Sequence, residues 1–220
     1  QFSKAADGFK QLSTGEDSLT QSAMYLLGDA YLKLGQKPNA RNAFAFCAAN
    51  SSIKSQREVA AFNYGKLSYE LGYQDIALNE LKKFIVEYPQ SSYNKEAREL
   101  MVALLANTNN YREALELLES LTAPSDAAKQ LYPRVAYGRA MELINDQNLV
   151  EADRLLDKVL KDPNNAPVLS LTQFWKGEIA YRNNNLDDAI RYYNLYLDKA
   201  PAANGEANPQ NARYNLGYAY

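Results

Sequence analysis

Apolar residues recur along this chain at intervals of three and four, the spacing that places side chains on one face of an α-helix. Six stretches share one pattern: an alanine, a large apolar or aromatic residue four positions later, and another core-forming residue seven positions later. The alanines are Ala5, Ala40, Ala77, Ala114, Ala152 and Ala189. Because they are 35, 37, 37, 38 and 37 residues apart, the pattern predicts the same kind of helix in six successive units.

A second set of mostly small residues lies twelve positions before five of these alanines. Its members are Gly28, Gly65, Val102, Ala140 and Gly177. Glycine inside a helix costs about 1 kcal/mol relative to alanine, so its recurrence indicates a place where another helix approaches closely. Between the two sets lie turn sequences rich in Gly and Asn, residues that adopt the left-handed conformation at helix ends. Each unit is therefore predicted to be helix, short turn, helix.

The periodicity also predicts the bounds of the helices. The predicted ranges are 2–13, 18–34, 38–50, 55–71, 74–87, 92–107, 110–121, 134–146, 149–161, 168–183, 186–199 and 210–219. Pro133 suits a first helical position, where its missing N–H costs little, so residues 122–132 are predicted to be an irregular connection, with room for a short helical turn. The segment 200–209 contains two prolines and a glycine and is predicted to be the longest loop.

These patterns resemble the tetratricopeptide repeat (TPR) family. The clearest copies are residues 27–31 (Leu-Gly-Asp-Ala-Tyr), followed by Ala40 and Phe44, and residues 212–220 at the other end of the chain. The resemblance implies an all-α fold: a right-handed α-α superhelix, or TPR solenoid, of about five full helix-turn-helix repeats plus a half repeat at each end.

We expect a single array over residues 1–220. Its units are 1–20 (a half), 21–57, 58–94, 95–132, 133–169, 170–209 and 210–220 (a half). Pro89 and Pro201 fall where the family places a proline after the second helix, whereas Val102, Arg139 and Lys176 depart from the pattern. We further expect a fragment of a longer protein, whose uncapped terminal helices expose apolar surface and allow end-to-end self-association.

Composition excludes several kinds of chemistry. The chain has no His and one Cys, Cys47, so it cannot build a Ser-His-Asp or Cys-His catalytic system or a His- or Cys-based metal site by itself. We predict no catalytic residue, no cofactor and no metal, and we expect Cys47 to be a buried, inert thiol. The net charge of −2 is evenly spread, which argues against nucleic-acid binding. No apolar run is long enough for direct membrane insertion.

The TPR resemblance implies that the first helix of each unit lines a concave face, and the repeat offsets predict which residues point toward it. This candidate groove consists of Tyr25, Asp29, Phe62, Lys66, Tyr69, Tyr137, Met141, Phe174, Glu178, Tyr181, Tyr214 and Tyr218. Tyr provides large contact area with a polar tip, which suits interfaces. The alternative is that these rings fill the space between neighbouring helices. Some TPR domains bind a chaperone's C-terminal carboxylate with Lys and Asn at such positions, but no pair here forms that clamp, although one position is Lys66.

A narrower resemblance comes from residues 84–97, in which a helix end is followed by Tyr-Pro, a Ser cap, an aromatic residue and Glu-Ala. This segment is similar to bacterial periplasmic TPR proteins, the BamD-like outer-membrane assembly lipoproteins and the Tol–Pal-associated group. Residues 197–201 are a weaker copy. The resemblance implies a bacterial periplasmic or cell-envelope location, with a cytoplasmic location as the alternative.

Three functions follow from the sequence. The first is a non-catalytic scaffold that binds a peptide or partner protein along the concave face, in cell-envelope assembly. The second is a regulatory or substrate-recruiting segment of a larger enzyme or signalling protein. The third and weakest is glycan binding, in which Trp175 would stack on a sugar beside Glu178 and Asn183.

Overall fold

The computed structural model describes residues 2–12, 18–198 and 202–220, and within these ranges the fold is all-α. The described ranges contain twelve helices: α1 (Phe2–Leu12), α2 (Ser18–Lys33), α3 (Lys37–Asn50), α4 (Lys54–Glu70), α5 (Gln74–Glu87), α6 (Asn94–Asn107), α7 (Tyr111–Glu119), α8 (Asp126–Asn145), α9 (Leu149–Lys161), α10 (Leu169–Arg182), α11 (Leu186–Leu197) and α12 (Pro209–Ala219). The predicted all-α helix-turn-helix fold is confirmed. The predicted helix ends at 13 and 199 and the expected repeat proline Pro201 lie outside the described residues.

The helices form two compact units, Gln1–Leu104 (unit 1) and Leu105–Tyr220 (unit 2), with the boundary inside α6. In unit 1, α1 to α4 each pack against the next helix along the chain. In unit 2, α7 to α11 do the same. Each helix therefore buries its apolar face mainly against its neighbours in sequence, as the repeating pattern predicts.

The repeated alanines and glycines mark the places where paired helices touch. Ala40, Ala77, Ala114, Ala152 and Ala189 are all completely buried, and Ala5 is half-buried. A Cβ atom added to Gly28 would lie 2.9 Å from the ring of Phe44, the large residue four positions after Ala40. Gly177 has the same relation to Tyr193, at 3.0 Å. The glycines therefore allow close approach of the second helix, as predicted.

The turns between paired helices share one backbone conformation. A residue with positive φ occurs in each, and these residues are Gly35, Gly72, Asn109, Gln147 and Asn184. Four of the five are Gly or Asn, as the sequence predicts. The fifth, Gln147, adopts φ 59° although a side chain of this kind is disfavoured there. In the turn after α10, for example, the N–H of Asn184 donates to the carbonyl of Tyr181 at 3.0 Å, which satisfies one of the last helical carbonyls.

The start of α8 differs from the prediction. The helix begins at Asp126 instead of 134, so most of the predicted irregular connection over 122–132 is helical. Ser125 caps it, because its hydroxyl accepts a hydrogen bond from the N–H of Ala128 at 3.2 Å. Pro133 then lies inside the helix and is buried. A proline there removes one helical hydrogen bond, and in α8 the burial of Pro133 and the N-terminal cap offset that loss.

Cys47 lies in the core of unit 1. Its side chain is completely buried, and the thiol donates a weak hydrogen bond to the carbonyl of Gln21, 3.5 Å away. Burial raises the pKa of the Cys47 thiol to about 12, so the reactive thiolate is scarcely populated near neutral pH. The predicted buried thiol is confirmed.

Candidate partner-binding surface

The predicted groove residues of unit 1 lie on α2 and α4. Tyr25 and Asp29 are half-buried on α2, and Lys66 and Tyr69 are half-buried on α4. Phe62 is only 2% exposed. Its ring stacks on Tyr93 with centroids 4.7 Å apart, so it fills space between helices and offers no surface to a partner. Phe62 therefore follows the alternative interpretation, in which the ring fills the space between neighbouring helices.

The charged groove residues of unit 1 are already paired. The ammonium of Lys66 lies 2.7 Å from a carboxylate oxygen of Glu96, and it also lies over the ring of Phe62. The carboxylate of Asp29 binds Lys33, one helical turn further on, at 2.8 Å. A partner that approached these residues would have to compete with local ion pairs.

The predicted groove residues of unit 2 lie on α8, α10 and α12. Two of them are buried: Phe174 is 2% exposed and Tyr137 is 9% exposed. The ring of Phe174 packs edge-on against Tyr193 and Tyr196, with centroids 5.9 and 5.4 Å away. Phe174, like Phe62, therefore belongs to the core and is removed from the open part of the predicted groove.

Tyr137 lies at the margin between the core and a groove that runs along α8. Burial raises the pKa of Tyr137 to about 12, and the nearby Trp175 side chain acts in the opposite direction with a smaller effect. The hydroxyl is therefore neutral under ordinary conditions.

The groove along α8, called the α8 groove below, has a volume of about 550 Å³. It is lined by Asn109, Tyr111, Arg134, Tyr137, Gly138, Met141, Glu142, Asn145, Pro167, Val168 and Asn204. Of the predicted groove residues, it brings together Tyr137 and Met141. Sequence reasoning missed Arg134 and Asn145, which lie seven positions before and four positions after Met141 on the same face of α8.

One wall of the α8 groove depends on a glycine. A Cβ atom on Gly138 would lie 2.5 Å from the ring of Tyr111, so this ring lies directly on the backbone of α8. The Tyr111 hydroxyl donates to the side-chain oxygen of Asn109 at 2.7 Å. These contacts place an aromatic ring and an amide at the edge of the groove.

The remaining predicted residues of unit 2 form two further clusters. Tyr214 and Tyr218 are 64% and 63% exposed. Their rings lie 4.8 Å apart and the hydroxyl of Tyr214 donates to that of Tyr218 at 3.2 Å. This hydrogen bond raises the pKa of Tyr214, and nearby Tyr181 adds to the effect. Tyr214 and Tyr218 therefore form an exposed tyrosine pair on α12.

Glu178 is at the centre of the second cluster and is only partly accessible. One carboxylate oxygen accepts hydrogen bonds from the hydroxyl of Tyr193 at 2.8 Å and from the amide of Asn215 at 2.9 Å. The other oxygen pairs with Arg182 at 3.0 Å. Burial and the neighbouring carboxylate raise the pKa of Tyr193. Because its partners are internal, Glu178 links α10, α11 and α12 and leaves little capacity for a ligand.

Lys176, which departs from the repeat pattern, connects two helices. Its side chain is 8% exposed, and the ammonium lies 2.7 Å from carboxylate oxygens of both Asp153 and Asp157 on α9. Burial lowers the pKa of Lys176, but the two carboxylates outweigh burial and the net direction is upward. Lys176 is thus a charged link between α9 and α10.

Two features needed for other functions are missing from the described ranges. No helix within them combines the length and the apolar character that crossing a bilayer requires. Over the same part of the chain, no group of three or more Cys, Asp and Glu side chains is arranged to hold a metal ion.

Comparison with known proteins gives a local family match. The tetratricopeptide-repeat profile matches residues 22–45, which comprise most of α2 and the first part of α3. No curated protein matches the chain. Among solved structures, a thermophilic TPR protein from Thermus thermophilus is 16% identical, with 90% of this chain and 98% of that chain covered and a TM-score of 0.37. The profile match, together with the helix-turn-helix architecture, supports the resemblance of this chain to the TPR family.

Proposed function

We propose that this chain is a non-catalytic protein-interaction module that binds an extended segment of a partner protein in the α8 groove. The observation that carries the proposal is the groove itself, about 550 Å³ in volume, which combines Tyr137 and Met141 with amides and a cation. Such a mixture of apolar and polar groups is typical of binding sites. TPR repeats generally act as protein-interaction scaffolds, and residues 22–45 match this family.

The comparison of the two sets of predicted groove residues favours α8 as the site. In unit 1, Lys66 and Asp29 are engaged in ion pairs and Phe62 is buried. On α10, Glu178 is engaged internally. Met141 is half-buried and lines an open cavity, so it can bury further apolar area when a partner binds.

The test is selection of binding peptides from a displayed random library with the chain as bait. We expect the selected peptides to bind at least tenfold more weakly to Met141→Gln, because this change keeps the side-chain length but places an amide in an apolar contact. The matched control is Val150→Thr, a near-isosteric polar change at a residue of α9 that is 78% exposed and lies outside the groove.

The control variant should bind like the wild type. Failure of any peptide to enrich, or equal binding by both variants, would contradict the proposed site. Thermal unfolding of each variant separates a loss of binding from a loss of folding.

The cell-envelope role is part of the same proposal and is supported by the resemblance of residues 84–97 to bacterial periplasmic TPR proteins. In the structure these residues form a close helix-to-helix connection. The amide of Asn94 donates to the carbonyls of Ile85 and Tyr88, both at 3.1 Å, and Tyr93 stacks on Phe62. Fractionation of cells that express the full-length gene product tests the location: recovery in the cytoplasm would favour the alternative.

The alternative of a recruiting segment within a larger enzyme would use the same groove. Glycan binding has less support, because the ring of Trp175 packs edge-on against Phe174 with centroids 5.5 Å apart and its side chain lies near Tyr137. A partly buried indole with these neighbours has little face left to stack on a sugar.

A further inference from the structure

We infer that the α8 groove recognises a partner segment that carries a carboxylate, held by Arg134, with an apolar residue three positions away, held by Met141. This inference rests on the proposed function and names the chemistry of the partner.

The charges of the α8 groove favour an acidic partner. Arg134 is exposed at the groove and forms no ion pair within the described part of the chain. The groove's carboxylate, Glu142, is engaged by Arg139 at 2.8 Å. Because a guanidinium is always charged and presents a planar set of donors that matches a carboxylate, Arg134 gives the groove a preference for acidic partners.

The amides of the α8 groove suit an extended backbone. The oxygen of the exposed Asn109 side chain accepts from the Tyr111 hydroxyl, and this hydrogen bond leaves its NH₂ group able to donate to a ligand. Asn145 and Asn204 line the same groove and are both exposed. Amides supply both donors and acceptors, which is what the backbone of an extended segment requires.

The distance between Arg134 and Met141 sets the spacing of the recognised residues. The two side chains lie seven positions apart on one face of α8, which corresponds to about 10 Å along the helix axis. A segment in the extended polyproline II conformation advances about 3.1 Å per residue with three residues per turn, so side chains three positions apart lie on one side, about 9 Å from each other. Arg134 and Met141 therefore match partner residues separated by about three positions, one acidic and one apolar.

A neighbouring cavity shows why Arg134 is distinctive. A cavity of about 570 Å³ between α7, α8 and α9 is also lined by cations, three arginines and one lysine. Its cations are paired locally, for example Arg112 with Glu116 at 3.2 Å and Lys158 with Glu119 at 2.9 Å. A ligand carboxylate would have to displace an existing partner there, which is not the case at Arg134.

The experiment uses the methionine methyl groups as reporters. The chain contains three methionines: Met141 lines the groove, while Met24 and Met101 are in unit 1. Chain labelled with ¹³C at the methionine methyls is titrated with the peptide acetyl-Ser-Glu-Ser-Thr-Leu-Ser-amide and with the same peptide carrying Gln in place of Glu.

We expect the Glu peptide to shift the Met141 signal and leave Met24 and Met101 unchanged, and we expect the Gln peptide to bind at least fivefold more weakly. Arg134→Gln should remove this difference, so that both peptides bind alike. The matched control is Lys161→Gln, an exposed cation near the end of α9 outside the groove, which should behave like the wild type. Added salt should weaken only the Glu peptide's advantage.

Two results would overturn the inference. Equal shifts by the two peptides in the wild type would show that the carboxylate is not recognised, while the proposed groove would stand. No shift of Met141 up to millimolar peptide would show that this partner chemistry is wrong. The display selection decides separately whether the groove binds a partner at all, so the two failures are distinguishable.

Discussion

Units 1 and 2 share the helix-packing contacts of the repeat positions and differ in the contacts of the positions between them. In both, a glycine of the first helix faces a large residue of the second, Gly28 with Phe44 in unit 1 and Gly177 with Tyr193 in unit 2. Around this shared contact both units pack aromatic rings, and unit 2 adds a buried charge at Lys176. The repeat positions thus determine the backbone, and the positions between them are free to differ.

The difference extends to what each unit offers a partner. In unit 1, charged side chains on the first helices form ion pairs with their neighbours, for example Lys66 with Glu96. In unit 2, the most buried ion pair is that of Lys176 with Asp153 and Asp157. Arg134, at the open α8 groove, forms no ion pair within the described part of the chain. Buried pairs add specificity of packing more than stability, and an unpaired surface cation is available for binding.

The largest expected effect on stability comes from replacing Lys176, and the same replacement at Lys66 is its comparison. Lys176→Met should reduce the free energy of unfolding by about 2–3 kcal/mol, because two carboxylates lose a partly buried counter-charge. Lys66→Met should cost less than about 1 kcal/mol, since its ion pair is solvent-accessible. Hydrogen exchange measured by mass spectrometry reports each unit separately. Equal losses in the two variants would contradict the distinction between buried and exposed pairs.

A second comparison concerns the shared glycine contact. Gly177→Ala should destabilise unit 2 by about 1–2 kcal/mol, because the added methyl group presses on the Tyr193 ring, which Glu178 and Asn215 hold in place. Gly28→Ala should cost about 1 kcal/mol or less, since the Phe44 ring has no such hydrogen bonds and the helix gains from alanine. Urea unfolding followed by Trp175 fluorescence for unit 2 and by hydrogen exchange for unit 1 checks both.

A third prediction tests the hydroxyl of Tyr137 through pH. Near neutral pH, Tyr137→Phe should lower the free energy of unfolding by about 1 kcal/mol, because the buried hydroxyl loses its interaction with the nearby Trp175 side chain. The pKa of Tyr137 is raised from its ordinary value of 10.0 to about 12 in the folded state. The contribution of the Tyr137 hydroxyl to folding stability is therefore complete below about pH 10 and is lost as pH rises through about 12.

The phenylalanine variant does not titrate at this position. The stability deficit of Tyr137→Phe relative to the wild type should disappear at about pH 11 and reverse by about pH 12, because one pKa unit corresponds to about 1.4 kcal/mol. Urea unfolding of both proteins from about pH 8 to about pH 11.5 measures the crossover. A deficit that stays constant over this range would show that the Tyr137 pKa is not raised.

The smallest expected effect concerns the turns. Gln147 adopts φ 59° in unit 2, where unit 1 uses Gly35 with φ 71°. Gln147→Gly should raise the free energy of unfolding by about 0.5–1 kcal/mol, because glycine adopts this conformation without strain. Gly35→Ala should lower it by about 1 kcal/mol for the converse reason. Thermal unfolding of the two variants would refute this interpretation of the turns if both shifts had the same sign.

The fold could be predicted from sequence because its determinants repeat. Ala40 and Gly28 belong to sets spaced by about 37 residues, and a small residue that recurs inside a helix despite its low helix propensity indicates close helix packing. The one large error, at α8, arose because Pro133 was given more weight than the cap formed by Ser125. A single hydrogen bond lost at proline can be offset by burial, and the sequence does not show that burial.

The candidate site was predicted less completely. Tyr137 and Met141 were identified by their repeat offsets, but Arg134 was missed because it lies at the predicted start of the helix, where no groove position was assigned. Phe62 and Phe174 share the offset of Tyr25, yet they are buried where the Tyr25 side chain is partly exposed. Exposure at one offset depends on the neighbouring helix, which the pattern within a single unit does not specify.

The α8 groove is the proposed site of the partner segment, and crosslinking tests that placement most directly. The photo-crosslinking residue p-benzoylphenylalanine is placed at Asn145, which lines the groove, or at Asn79, an exposed position on α5 of unit 1. On irradiation with a display-selected peptide, we predict a covalent adduct at position 145 and none above background at 79. Equal labelling at the two positions, or labelling at 79 alone, would contradict the proposed site.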